Sequence, residues 1–142
     1  SFGVAIQRFT EIGDERMVLA SRSDLTHALR RGARLDEALA IYHETISGWV
    51  HLGNRGAVAN QLENVAYVLI ERGEHEPAAR LLGAADAIRE AGDARMAFDE
   101  EPEYAAALDR LRATMGETAF SAASSAGRVM SQTEAVAFAL ET

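Results

Sequence analysis

The sequence predicts an all-α protein built from antiparallel helical hairpins, and two observations carry this prediction. Apolar residues recur at spacings of three and four along nearly the whole chain, which is the period of an amphipathic helix. A pattern of apolar and glycine positions also repeats about every 40 residues. A repeat of this length indicates units that bury their apolar faces against neighbouring units.

The best-defined unit spans residues 52–93. Its first helix has one apolar stripe, formed by Leu62, Val65, Ala66 and Leu69. Gly73 is expected to end this helix in the left-handed conformation, and Pro77 is expected to start the next helix. The second helix has an inner face of Ala78, Leu81, Leu82 and Ala85. Small residues at the contact predict two closely packed antiparallel helices, so the unit is a helical hairpin.

The same unit recurs upstream. The dipeptides Gly13-Asp14, Gly53-Asn54 and Gly92-Asp93 lie 40 and 39 residues apart. A shift of 40 residues superimposes six apolar pairs: Ile12 on Leu52, Val18 on Val58, Leu25 on Val65, Leu29 on Leu69, Ala38 on Ala78, and Tyr42 on Leu82. We therefore expect helices over residues 2–12, 16–31 and 35–50. The first of these would be the second helix of a truncated repeat.

Residues 60–85 resemble a tetratricopeptide repeat. The matching positions are Val65-Ala66, Leu69, Gly73, Ala78, Leu82 and Ala85. Two leucines replace aromatic residues, and the period is near 40 rather than about 34 residues. The resemblance implies that residues 1–93 form a tetratricopeptide-like right-handed solenoid.

The repeat register fails after Gly92. Residues 94–101 are predicted to be a loop, and Pro102 is predicted to start a helix with acidic residues on both sides. Another helix is expected over residues 117–129. A capping box of Ser131 and Glu134 precedes the last helix. Because these short helices do not repeat, residues 94–142 are predicted to be a C-terminal helical cap. Eight helices and no strand are expected in total.

Composition excludes several function classes. The chain has 22 acidic and 14 basic residues, a net charge of −8, which argues against nucleic acid or an anionic membrane as the main partner. It has no cysteine, and all its basic residues are arginine. Disulfides, thiolate metal sites, Schiff-base lysines and the lysine of a phosphate-binding loop are therefore excluded. Without a long apolar run or a leader, and starting at Ser1, the chain is expected to be a cytoplasmic piece of a longer protein.

The polar clusters predict neither catalysis nor cofactor or metal binding. The acidic cluster of Asp99, Glu100, Glu101 and Glu103 is interpreted as a solvated helix start rather than an acid–base pair or cation site. The histidines have no metal-ligand spacing: His27, His43, His51 and His75. The serines lack a nucleophile elbow: Ser121, Ser124 and Ser125. The basic cluster fits helix capping better than a phosphate or an acidic peptide: Arg30, Arg31 and Arg34.

The predicted binding surface is the concave one, which the first helix of each hairpin would line. The candidate groove residues are Ser23, His27, Arg30, Asn60, Glu63, Asn64, Tyr67, Ile70 and Glu71. An exposed tyrosine and isoleucine beside amides and charges would suit a peptide or an extended protein segment. The alternative is that Tyr67 and Ile70 pack against the neighbouring first helix. A deep closed pocket near Tyr67 would favour a small molecule, and an open channel would favour a peptide.

Two longer strings resemble a family of regulators. RLLGAADAIRE at residues 80–90 and EYAAALDRLRATMGETAFSAASSAGRVMSQTEAVAFAL at residues 103–140 are similar to the C-terminal helical region of actinobacterial LuxR-type and cyclase-linked signal-transducing ATPases. The resemblance implies a non-enzymatic interaction or sensor domain in such a protein. The alternative is an inducer-binding domain that switches an attached NTPase. No phosphate loop or basic recognition helix is in the sequence.

The N-terminal helix is also predicted to self-associate. Its stripe of Val4, Ala5 or Ile6, and Phe9 would lack a pairing helix. Apolar patches of this kind favour two-fold self-pairing, so a homodimer is expected.

Overall fold

The computed structural model describes the backbone of residues 2–142 and the side chains of residues 13–142. Within these residues the chain is all-α, as predicted, and contains no strand. The helices are α1 (Phe2–Arg31), α2 (Leu35–His51), α3 (Arg55–Glu71), α4 (His75–Gly92), α5 (Glu101–Met115), α6 (Glu117–Arg128) and α7 (Gln132–Leu140). A short 3-10 helix, Phe98–Glu100, precedes α5. The Ser131–Glu134 capping box at the start of α7 is present as predicted.

Helices α1 to α4 end in the same way. Each is followed by a residue with positive φ, and these residues lie 20 apart: Ala33, Gly53, Gly73 and Asp93. At each turn the next amide donates to the carbonyl five residues earlier, for example Glu74 N to Leu69 O at 2.8 Å. This pattern satisfies the last carbonyls of a helix. The repeated backbone unit is therefore one helix and its turn, half of the period read from the sequence.

The predicted break at Gly13 is wrong, because α1 continues through it from Phe2 to Arg31. Residues 2–12 and 16–31 thus form one helix, and the part of the chain that the structure describes has seven α-helices rather than eight. A glycine in a helix interior costs only about 1 kcal/mol, which does not by itself end a helix. The apolar stripe of Val4, Ala5 or Ile6, and Phe9 lies outside the described side chains.

Helix α3 forms the centre of the core. All ten residues from 61 to 70 are buried, and α3 packs against α1, α2, α4, α5 and α7. Ala78 and Ala85 on α4 were predicted to lie at the contact between the two helices of the hairpin, and both are 0% exposed. A helix that is buried on every side must satisfy its polar residues internally. The polar side chains of residues 61–70 therefore face the other helices and not solvent.

Helices α4 and α6 cross with their backbones in contact. A Cβ at Gly127 would overlap the carbonyl oxygen of Arg80, and a Cβ at Gly83 would overlap that of Ser124. In addition, α7 packs on α2, α3 and α4, while α5 packs on α3, α4 and α6. The C-terminal helices therefore fold back over the hairpins and do more than cover one end.

We predict that Gly127→Ala destabilises the protein by about 1–3 kcal/mol, because the added methyl group overpacks the α4–α6 crossing. Gly13→Ala is the matched control: a Cβ at Gly13 meets no atom within 4 Å, so this change should stabilise α1 by up to about 1 kcal/mol. Urea unfolding followed by circular dichroism measures both. Equal effects of the two substitutions would contradict the close crossing.

Candidate functional site

The nine predicted groove residues all lie on α1 and α3. Six of them are buried: Ser23, Arg30, Glu63, Asn64, Tyr67 and Ile70. His27 and Asn60 are half-buried, and Glu71 is exposed. Tyr67 and Ile70 were expected to be exposed, but they are only 8% and 3% exposed. The reason is that the 3-10 helix and α5 contribute side chains to this region.

Arg30, at the end of α1, is the centre of the region. Its side chain is only 6% exposed. Nη1 and Nη2 donate to the two carboxylate oxygens of Glu103 on α5 at 3.0 and 2.7 Å, and Nε donates to Asn64 Oδ1 on α3 at 3.1 Å. The guanidinium carbon lies 5.1 Å from the centre of the Tyr67 ring. A buried guanidinium requires such a paired and hydrogen-bonded environment, so Arg30 joins α1, α3 and α5.

A chain of polar contacts continues from Arg30 into α2. The hydroxyl of Tyr42 donates to Asn64 Oδ1 at 3.3 Å, and His27 Nδ1 lies 2.6 Å from the same hydroxyl. His27 Nδ1 and the Tyr42 hydroxyl therefore form the shorter hydrogen bond of this chain. Burial raises the pKa of Tyr42 to about 12. Burial and the charges of Arg30 and Arg31 lower the pKa of His27.

Glu63 belongs to a second buried ion pair. Arg89 on α4 donates two hydrogen bonds of 2.8 Å to its carboxylate, and the Glu63 side chain is 3% exposed. Burial raises the pKa of Glu63, and the hydrogen bonds from Arg89 oppose this rise. Arg89 also donates to the carbonyl of Ala94 at 3.4 Å. The pair therefore fixes α3 to α4 and to the segment that follows it.

The remaining polar groove residues also contact other parts of the chain. Ser23 accepts a hydrogen bond from Trp49 Nε1 at 3.2 Å. Asn60 Nδ2 donates to Glu100 Oε1 at 3.2 Å, and Glu71 pairs with Arg110 on α5. The candidate groove is thus covered by the chain itself.

Sequence reasoning missed the roles of two clusters. Glu100 and Glu103 were interpreted as part of a solvated helix start, yet both bind groove residues. Arg30 was interpreted as a helix-capping residue, yet it pairs with Glu103. The sequence did contain one indication of this contact, which is charge. The basic cluster around Arg30 and the acidic cluster around Glu103 carry opposite charges and could have been considered as a pair. Only the return of α5 to the hairpins brings them together.

Several cavities flank the described helices, and three of them border α1, α3 or the end of α4. A recess of about 200 Å³ lies beside Tyr67, between Arg30, Ile70 and Ala106. A cavity of about 530 Å³ lies at the end of α4, between Arg89, Met96 and Tyr104. A furrow of about 560 Å³ lies between α1 and α2 and is lined mainly by apolar atoms. The space near Tyr67 is therefore neither an open channel nor a pocket of typical ligand size.

Among the described residues, no group of three His, Cys, Asp or Glu side chains is placed to hold a metal ion. None of the helices in residues 2–142 combines the length and apolar character needed to cross a membrane. Comparisons with family models, curated proteins and solved structures found no match.

We predict that His27 makes stability depend on pH in mildly acidic solution. Its folded-state pKa lies below the ordinary value of 6.5, so the unfolded chain binds the proton first as the pH falls. The contribution of neutral His27 to the free energy of unfolding is fully present above pH 6.5. It is lost as the pH falls from there towards the folded-state pKa. Urea midpoints at about pH 7.5 and about pH 5.5 should differ less in His27→Gln than in the parent. His51→Gln, on the exposed surface of α2, should match the parent. An unchanged pH difference in His27→Gln would contradict this role.

Proposed function

We propose that the chain is a non-enzymatic protein-interaction domain, a tetratricopeptide-like array of hairpins that docks a partner on the outer face of α1. One observation carries this proposal. Met17, Val18 and Leu25 on α1 are 70%, 57% and 59% exposed. Contiguous exposed apolar side chains are typical of interaction sites.

The exposed face of α1 has the spacing of a helix-pairing seam. Val18, Ser21, Leu25 and Ala28 follow one another at intervals of three, four and three residues, and all four are exposed. This is the a/d pattern by which two helices pack together. The furrow between α1 and α2 lies next to Val18 and adds Leu19, Gly48 and Leu52 to the apolar surface. A helix of a partner therefore suits this face.

A second copy of the chain is the partner that this seam fits best. If two α1 helices pack antiparallel about a two-fold axis, Val18 of one copy lies opposite Ala28 of the other, and Leu25 lies opposite Ser21. Each large residue then meets a small one.

The proposal that this domain belongs to a bacterial regulator rests only on the sequence resemblance. The resemblance of residues 80–90 and 103–140 to the helical region of LuxR-type and cyclase-linked signalling ATPases supports a role in a bacterial regulator. In such a protein, self-association of this domain would assemble the attached domains. We include a cytoplasmic location in the same proposal.

A second candidate function is that of a small-molecule sensor. The cavity between Arg89, Met96 and Tyr104 has a volume of about 530 Å³, within the usual range for ligand sites. A ligand there would contact both the end of α4 and the start of α5. Its binding would favour one position of α5, which is how an inducer could change the domain.

We predict that the protein self-associates at high concentration and that Val18→Glu weakens the dimer at least about tenfold, because a two-fold interface contains each substitution twice. Val129→Glu is the matched control, since Val129 is 84% exposed and lies just after α6, away from the proposed seam. Light scattering and sedimentation equilibrium over a dilution series measure both. A parent protein that stays monomeric, or a Val18→Glu variant that associates like the parent, would overturn the proposal.

A further inference from the structure

The segment of residues 97–106, which we call the acidic strap, is held over the α1–α3 face mainly by polar contacts. Glu103 binds Arg30, and Glu100 accepts a hydrogen bond from Asn60. None of the ten strap residues is buried, and Phe98 is 88% exposed. The buried residues of α5 are Ala107 and Leu111, which lie beyond the strap. Apolar burial therefore anchors α5 from Ala107 onward more than the strap, in which Tyr104 packs partly against the core.

The surface beneath the strap has the features of a carboxylate-binding site. Arg30 presents both terminal nitrogens in the bidentate geometry that suits a carboxylate. Its guanidinium is held from the other side by Asn64 Oδ1 and by the Tyr67 ring. Arg31 Nη2 lies 4.0 Å from the same carboxylate and adds positive charge. These groups lie on α1 and α3, and both helices also pack against α2, while α3 packs against α4 as well.

The strap does not fill the space above this surface. A recess of about 200 Å³ remains between it and the floor of Arg30, Tyr67 and Ile70. The recess is bordered by the exposed residues Glu71, Ala106 and Arg110, so it opens to solvent. The contact of the strap with Arg30 is made by the carboxylate of Glu103.

We infer that the α1–α3 face is a binding surface for an acidic helical segment of a partner protein, and that the acidic strap occupies it as an internal competitor. The partner segment carries a glutamate or aspartate in the first turn of a helix, as Glu103 does. Its carboxylate replaces that of Glu103 on Arg30, and its small residues enter the recess beside Tyr67. Release of the strap frees residues 97–106 while Leu111 stays anchored. This surface is distinct from the outer face of α1, so either proposal can fail without the other.

The experiment uses a fluorescent peptide of residues 95–110 as the probe, added to the full chain. The receiving chains are the parent, Glu103→Gln, and Glu101→Gln as a control in the same segment, since Glu101 is exposed. Fluorescence anisotropy should show that Glu103→Gln binds the peptide at least about tenfold more tightly than the parent, because its own strap is weakened. Glu101→Gln should match the parent. A peptide in which Glu103 is replaced by Gln should bind none of the chains.

Equal binding of the peptide by the parent and Glu103→Gln, or equal binding of the unaltered peptide and the peptide carrying Glu103→Gln, would overturn the inference. Amide hydrogen exchange on the unaltered chain provides a second test that does not require the variant to fold. Residues 98–106 should exchange at least about 100-fold faster than residues 61–70 of α3, since local opening is easiest where little apolar surface is buried. Equal protection of the two segments would also overturn it.

Discussion

The buried guanidinium of Arg30 is the interaction on which the arrangement of the other elements depends. A charge with only 6% of its side chain exposed is stable only when a carboxylate and further hydrogen bonds surround it. Those groups come from three other places: Glu103 on α5, Asn64 on α3, and, through Asn64, Tyr42 on α2. Satisfying one charge therefore specifies how α1, α2, α3 and α5 lie relative to one another.

Two kinds of packing support this polar centre. The hairpin helices bury aliphatic residues around α3, whereas α4 and α6 meet through the glycines at 83 and 127. The close α4–α6 crossing fixes the far end of the C-terminal region, and Leu111 fixes the second half of α5. As a result, two surfaces differ in character. The face between α1 and α3 is polar and covered, while the outer face of α1 is apolar and open.

Local patterns predicted the individual elements well because helix period and capping are local properties. The turn at Gly73, the helix at Pro102 and the capping box at Ser131 all follow from a few neighbouring residues. The break at Gly13 failed because a glycine permits a turn without requiring one. The site was harder to predict, because Arg30 and Glu103 are 73 residues apart and nothing local links them. Tyr67 was predicted to be exposed on the concave surface because of its position in the repeat. The repeat pattern contains no information about where α5 packs.

The most direct test is a double-mutant cycle on Arg30 and Glu103, using Arg30→Met, Glu103→Gln and the double variant. If the buried guanidinium organises the fold, the coupling free energy of unfolding should be about 1–3 kcal/mol. The exposed pair of Arg80 and Glu76 within α4 is the reference, and its coupling should stay below about 1 kcal/mol. A coupling at Arg30 and Glu103 no larger than at the reference pair would contradict the central role of Arg30.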